Sequence, residues 1–174
     1  MTIRPSSPAE TDEICTLHEN AFGEPEGRTV AELVRNLMDD ETAVPTLSLV
    51  MADGGEITGH TFFSSVTIDN YDRVSVSILA PLAVAKFHQK KGIGKKLIES
   101  GLADLKESGT DVVLVLGDPA YYSRFGFHTC HTIQPPYELP YPEAWMAVEL
   151  QKGTLKKLKG MAYCADSLQA RELW

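Results

Sequence analysis

Residues 82–102 read Leu82-Ala83-Val84-Ala85-Lys86-Phe87-His88-Gln89-Lys90-Lys91-Gly92-Ile93-Gly94-Lys95-Lys96-Leu97-Ile98-Glu99-Ser100-Gly101-Leu102. An apolar strand end runs into a basic, glycine-bearing turn, and an amphipathic helix follows at once. Ile93, Leu97, Ile98, Leu102 and Leu105 give that helix, predicted over Gly92–Ser108, its inward face. The first turn of a helix has N–H groups without helical acceptors. Gly92 and Gly94 remove side-chain bulk, so a pyrophosphate can approach the backbone. Lys90, Lys91, Lys95 and Lys96 add positive potential. The plainer alternative is a solvated, lysine-rich helix start with two turn glycines. A dinucleotide fingerprint fits less well, because its third glycine would fall at Leu97 and the turn does not follow the first strand of an α/β unit.

Upstream, three strand runs are predicted, Thr46–Ala52, Glu56–Thr67 and Val74–Val84, joined at Asp53-Gly54-Gly55 and Asp69–Arg73 as an antiparallel meander. Pro81 interrupts the third run. It cannot donate a ladder hydrogen bond, so pairing fails locally and Leu82 and Val84 are free to bond an extended, amide-bearing ligand. The chain opens as strand, helix, helix. A short strand at 2–5 is followed by a capping box at Ser7, Pro8 and Glu10. Ile14, Leu17 and Ala21 stripe the first helix, and Val30, Leu33, Val34, Leu37 and Met38 stripe the second.

Downstream, DVVLVL at Asp111–Leu116 reads as a buried strand, parallel to the one before the central helix. Then come a helical turn over 119–125, a strand over Phe127–Ile133, an irregular Pro-rich segment (IQPPYELPYPE) and a strand at Trp145–Leu150. From Gly153 on, a strand with a short helix and a packed coil read equally well.

A chain of 174 residues suits one domain, here 1–174, and its 43% hydrophobic content suits a packed core. The net charge of -8 disfavours a nucleic-acid partner and tolerates a cationic substrate. No apolar run approaches a membrane span, and the N-terminus lacks a signal-peptide pattern, so no membrane association and a cytoplasmic location are expected. Cys15, Cys130 and Cys164 form neither a disulfide framework nor a metal motif. His128, Cys130 and His131 offer too few ligands on one strand face, so no metal is expected.

The stretches GEITGHTFFSSV (55–66), LAPLAVAKFHQKKGIGKKLIESGL (79–102) and VVLVLGDPAYYSRFGF (112–127) resemble the GCN5-related N-acetyltransferase (GNAT) superfamily, and within it the bacterial YhbS-type predicted acetyltransferases. The resemblance covers about residues 2–150, leaving 151–174 as a C-terminal extension. Gln89, Gly92 and Gly94 match the family's Q/R-x-x-G-x-G/A loop. The resemblance implies a mixed α/β acyl-CoA N-acyltransferase fold whose two parallel strands splay apart around acetyl-CoA. It implies that backbone groups of Leu82, Ala83 and Val84 hold the pantetheine arm and that those of Gln89, Lys90, Lys91, Gly92, Ile93, Gly94 and Lys95 hold the pyrophosphate. It places Tyr122, four residues before Gly126, near the thioester sulfur as general acid, and the Val84 N–H as oxyanion donor. Many relatives carry an asparagine seven residues before this tyrosine. Here Val115 stands there, and Gly117-Asp118-Pro119 follows.

The implied reaction is direct attack of a neutral amine on an acyl thioester. Neutralising a lysine-like amine at pH 7 costs about 4.6 kcal/mol, and an α-amino group about 1 kcal/mol. Glu24 and Glu26, in the break between the first two helices, are candidates on the acceptor side. That break, the Asp69–Arg73 connection and PPYELPYPE are expected to shape the acceptor pocket. Tyr137, Tyr141 and Trp145 line it or fill the core, and Tyr121, Phe125 and Phe127 read as core aromatics. The acceptor is a small amine or a peptide or protein amine, and homodimers are common on this fold. A noncatalytic acyl-CoA-binding module is the main alternative, and a nucleotide-dependent oxidoreductase a weaker one.

Overall fold

A computed structural model describes residues 1–174. Strand β1 (Thr2–Pro5) leads into the expected capping box, where the Glu10 carboxylate accepts from the Ser7 N–H at 2.7 Å. The box caps a single 3-10 turn, and helix α1 (Thr11–Phe22) continues from it. Helix α2 (Glu26–Asp39) follows after a short break. Both helices bury the predicted apolar stripes, including Ile14, Leu17, Val34 and Leu37.

The meander is β2 (Leu47–Asp53), β3 (Glu56–Ile68) and β4 (Val76–Val84). Helix α3 (Ile93–Glu107) crosses to β5 (Val112–Leu116), which pairs parallel to β4. Helix α4 (Pro119–Tyr122) and a 3-10 turn follow. The remaining strands are β6 (Thr132–Gln134), β7 (Trp145–Glu149) and β8 (Lys159–Cys164). The main sheet runs β1-β2-β3-β4-β5-β7, with β8 pairing the far end of β3 and β6 pairing β8. One face packs Phe63, Leu79 and Val113 against Ile98 of α3. The other packs Phe62 and Ile78 against Leu33 and Leu37 of α2 and Leu168 of the C-terminal segment.

The strand expected over Phe127–Ile133 does not form as one piece. Strand β7 occupies the free edge of β5, leaving this segment a single bridge, His128 to Ala147. Thr129 and Cys130 then loop through solvent before β6 joins β8. The chain after Gly153 is structured throughout. Its β8 extends the sheet, the 3-10 turn at Asp166–Leu168 folds back over α2, and a last 3-10 turn follows at Arg171–Leu173.

Candidate active site

Strands β4 and β5 pair only from Val76–Leu79 against Val112–Val115. Beyond Leu79, β5 stays with β7 up to the Leu116–Trp145 pair, while β4 carries on along β3. Thr61 and Phe63 of β3 face Leu82 and Leu79, so β4 holds one extra residue at Ala80-Pro81. This bulge at the expected proline re-aims the strand and opens a wedge between β4 and β5. The Ala85 N–H donates to the Thr58 carbonyl. By the alternation of an antiparallel ladder, Ala83 therefore bonds toward His60, and the backbone groups of Leu82 and Val84 turn away from β3 into the wedge. The Val84 carbonyl there accepts from Gln89 Nε2 at 3.2 Å. This latch between loop and strand is beyond what the motif spacing conveys.

The loop before α3 is an anion nest. Lys90 and Gly92 both adopt left-handed backbone, at φ 61° and 81°. No side chain caps α3, and its first backbone bond runs from Lys96 to Gly92. None of the N–H groups from Lys90 to Lys95 makes a well-formed hydrogen bond within the chain. Successive unpaired amides with alternating handedness make a concave anion site. The nest fits a coenzyme pyrophosphate. The Gln89 N–H is less free, since it reaches the Lys86 carbonyl at 3.4 Å. Lys95 is within 3.8 Å of Glu99, an exposed pair one helical turn on.

The two glycines serve different ends. Gly92 has open space where a β-carbon would stand, and its positive φ is what calls for glycine. A β-carbon on Gly94 would lie 2.6 Å from the Tyr121 hydroxyl, so this glycine admits a tyrosine into the wedge. Tyr121 packs against the core around Phe63, Ile98 and Phe127, as expected, and its hydroxyl also reaches Gly94. It is half-buried, with the Arg124 guanidinium 4.6 Å above its ring.

Tyr122 is delivered by Gly117-Asp118-Pro119. Asp118 Oδ1 accepts from the Ala120 N–H at 2.9 Å and caps α4, while Pro119 takes the first helical position. Gly117 lets the Tyr122 ring lie over the end of β5, where a β-carbon would sit 2.3 Å from the ring. Tyr122 also packs edge-on against Phe127 at 5.8 Å. Burial, reinforced by neighbouring Tyr121, pushes the Tyr122 phenol above its ordinary range. It therefore stays protonated at neutral pH.

A cavity of about 560 Å³ adjoins the wedge. Its floor is β4 from Ile78 to Leu82, with Leu116 and Tyr122 beside it. Phe22, Pro25, Glu26 and Thr29 form one wall, and Leu168, Glu172, Leu173 and Trp174 form the other. The break between α1 and α2 shapes this space as expected. The Asp69–Arg73 connection and the PPYELPYPE segment do not line it. Of the two candidate carboxylates only Glu26 lines the cavity, and exposed Glu24 lies 3.7 Å from Arg28.

The wall formed by Leu168, Glu172, Leu173 and Trp174 is the feature that sequence reasoning missed. Trp145 is core, its indole N–H donating to the Ile133 carbonyl at 2.9 Å. Tyr137 donates to the Gln169 carbonyl, and Tyr141 is exposed. Cys130 is exposed in its loop and does not line the cavity. His131 Nε2 lies 3.3 Å from the Trp145 carbonyl, and no group of three or more His, Cys, Asp or Glu assembles.

His60 is fully buried, with Nδ1 2.8 Å from His18 Nε2 and Nε2 2.9 Å from Ser48 Oγ. His18 stacks on Phe22 of the cavity wall at 6.2 Å. Desolvation depresses both imidazoles, His18 to about 3 and His60 well below its ordinary value.

A splayed pair of parallel strands, a bulge between them and an anion nest on the following helix define an acyl-CoA N-acyltransferase. The acetyltransferase (GNAT) domain family matches residues 2–130, and the chain belongs to that family of acetyl-CoA-dependent N-acetyltransferases. The uncharacterized N-acetyltransferase YjhQ of Escherichia coli K12 is 34% identical over 172 residues, 95% of this chain and 92% of the relative. YhbS of the same strain is 38% identical over 128 residues, 73% of each chain. The crystal structure of Escherichia coli YhbS in complex with CoA superposes with a TM-score of 0.88 at 29% identity, covering 98% of this chain and 92% of that one. A Brucella melitensis GNAT acetyltransferase in complex with acetyl-CoA gives 0.77 at 28% identity, covering 96% and 97%.

Proposed function

We propose that the chain transfers an acetyl group from acetyl-CoA directly to an amine seated in the cavity beside β4, both substrates being bound together. The opening of β4 from β5 beyond Leu79 carries this reading, because Leu82 and Tyr122 line the cavity beside it and the nest follows β4 directly in the chain. In this reading Leu82, Ala83 and Val84 run beside the pantetheine arm, and Gln89 through Lys95 take the pyrophosphate. Leu82 and Val84 direct backbone groups into the crevice, while the backbone of Ala83 is paired with His60.

Acetyl-CoA, when bound, supplies a thioester carbonyl open to attack by a neutral amine. The Val84 N–H points into the wedge, where it can donate to the carbonyl oxygen as charge develops there. Tyr122 donates its hydroxyl proton to the departing sulfur. Burial keeps the phenol protonated at the start of each turnover but makes it a weaker acid, and the proton shed by the attacking amine restores it afterwards. Glu26 lies on the acceptor side and receives the cationic amine before its proton is lost. The apolar lining lowers the amine's own pKa by desolvation, which reduces the cost of neutralising it.

Release of the coenzyme A thiol from acetyl-CoA, followed across a panel of amines, tests this. Amine-dependent release that collapses in Tyr122→Phe, with acetyl-CoA affinity retained, is the expected result. Acetyl-CoA binding without amine-dependent release would favour a noncatalytic module.

A further inference from the structure

The cavity's composition narrows the acceptor. Its side chains are apolar except for Glu26, Thr29, Glu172 and the Tyr122 hydroxyl, and no lysine, arginine or histidine lines it. Glu26 and Glu172 are exposed on opposite walls, and neither is ion-paired. The lining thus favours a cation carrying no more charges than these two carboxylates, on an otherwise apolar ligand. A hydroxyl-rich or more highly charged amine would bury polar groups without partners, and each such group is costly.

The second wall is built into the fold. Asp40, just after α2, accepts from the Ser167 N–H at 2.8 Å, the Ser167 hydroxyl at 2.6 Å and the Thr42 N–H at 2.8 Å. The Trp174 indole N–H donates to the Leu168 carbonyl at 2.8 Å, and its ring packs edge-on against Trp145 at 5.6 Å. All four residues of this wall lie beyond the 2–130 span that the family matches, so the wall is not part of the shared cofactor framework.

We infer that the acceptor is a small primary amine on an apolar body, an alkyl or arylalkyl amine, with Trp174 packing its body and Glu172 and Glu26 receiving its ammonium. This rests on the N-acyltransfer reading above and names the substrate class for the same site.

The test uses the full chain with phenethylamine and hexylamine on one side, and spermidine and kanamycin on the other. The apolar amines are expected to show kcat/KM at least about tenfold higher, the scale at which an apolar pocket discriminates. Trp174→Ala should raise the phenethylamine KM about tenfold, and Glu172→Gln should raise it several-fold, with the Kd for acetyl-CoA unchanged in both. Because loss of Trp174 also removes a contact to Trp145, the exposed Glu172→Gln change and the conservative Trp174→Phe serve as checks on folding. Phenethylamine should also quench tryptophan fluorescence without acetyl-CoA, and Trp174→Phe should abolish that response.

Preference for spermidine or kanamycin would overturn the substrate class and leave N-acyl transfer standing. Binding of acetyl-CoA with no amine acetylated would overturn both. Wild-type KM values in the two tail variants would overturn the role of this wall.

Discussion

The ring of Tyr122 lies over the α-carbon of Gly117, so close that a β-carbon there would fall 2.3 Å from it. Gly117 has an ordinary negative φ, so alanine fits the backbone and must displace the ring. Gly117→Ala is expected to lower kcat by about 10- to 100-fold, the scale of a 1 Å misplacement. The acetyl-CoA Kd should hold. Steady-state kinetics beside isothermal titration separates the two, and an unchanged kcat would detach Tyr122 from the chemistry.

Tyr122→Phe removes the hydroxyl and keeps the packing against Phe127. A loss of about 100-fold in kcat is expected, at the low end for a positioned general acid. Because burial raises the Tyr122 phenol above its ordinary range, the wild-type rate should climb with pH as the amine loses its proton. It should show no falling limb below about pH 10. A wild-type fall near pH 8 would assign the acid role to a different group.

Lys90 and Gly92 occupy the same left-handed region, but only one is a glycine. Gly92→Asp forces a second non-glycine residue into it, at about 1–2 kcal/mol, and puts a negative charge beside the nest. Acetyl-CoA affinity should fall at least tenfold and the melting temperature should drop. Lys90→Gly relieves strain while removing a cation. Its melting temperature should hold or rise while affinity falls several-fold, a split that titration and thermal unfolding together resolve.

His18 and His60 are neutral in the folded protein because burial depresses both. The unfolded chain takes up protons below about pH 6.5, and the folded chain does not. Stability is thus fully present above about pH 6.5 and declines as pH falls toward the folded values. The expected slope approaches about 1.4 kcal/mol per pH unit for each histidine. Urea unfolding between pH 7 and 5 measures it, and His18→Phe should halve the slope. A flat profile would mean that both imidazoles take up protons in the folded protein as they do in the unfolded chain, and half the slope that only one stays neutral.

Much of the cofactor side is legible in the chain. Strand, turn and helix around 82–102 follow from apolar periodicity and two glycines, and the bulge follows from Pro81 having no N–H. What hides is whatever depends on distant contact. That Gly94 also leaves room for Tyr121, 27 residues on, is a contact that no local pattern shows. The Phe127–Ile133 segment has strand-like composition, but β7 already holds the edge it would need. The acceptor wall was illegible because Leu168, Leu173 and Trp174 show neither strand nor helix periodicity and are placed by Asp40, more than 120 residues away.

Asp40 thereby separates what can change from what cannot. Partial burial pushes its carboxyl up, but hydrogen bonds from Ser167 and Thr42 outweigh this and hold it at about 2. The anchor is charged at any pH a cell sustains. Residues past 165 can then be replaced while Asp40 and its partners stay, each new segment presenting a different acceptor surface to an untouched acetyl donor. A substitution in residues 166–174 is therefore expected to change which amine is accepted and to leave the cofactor grip as it is.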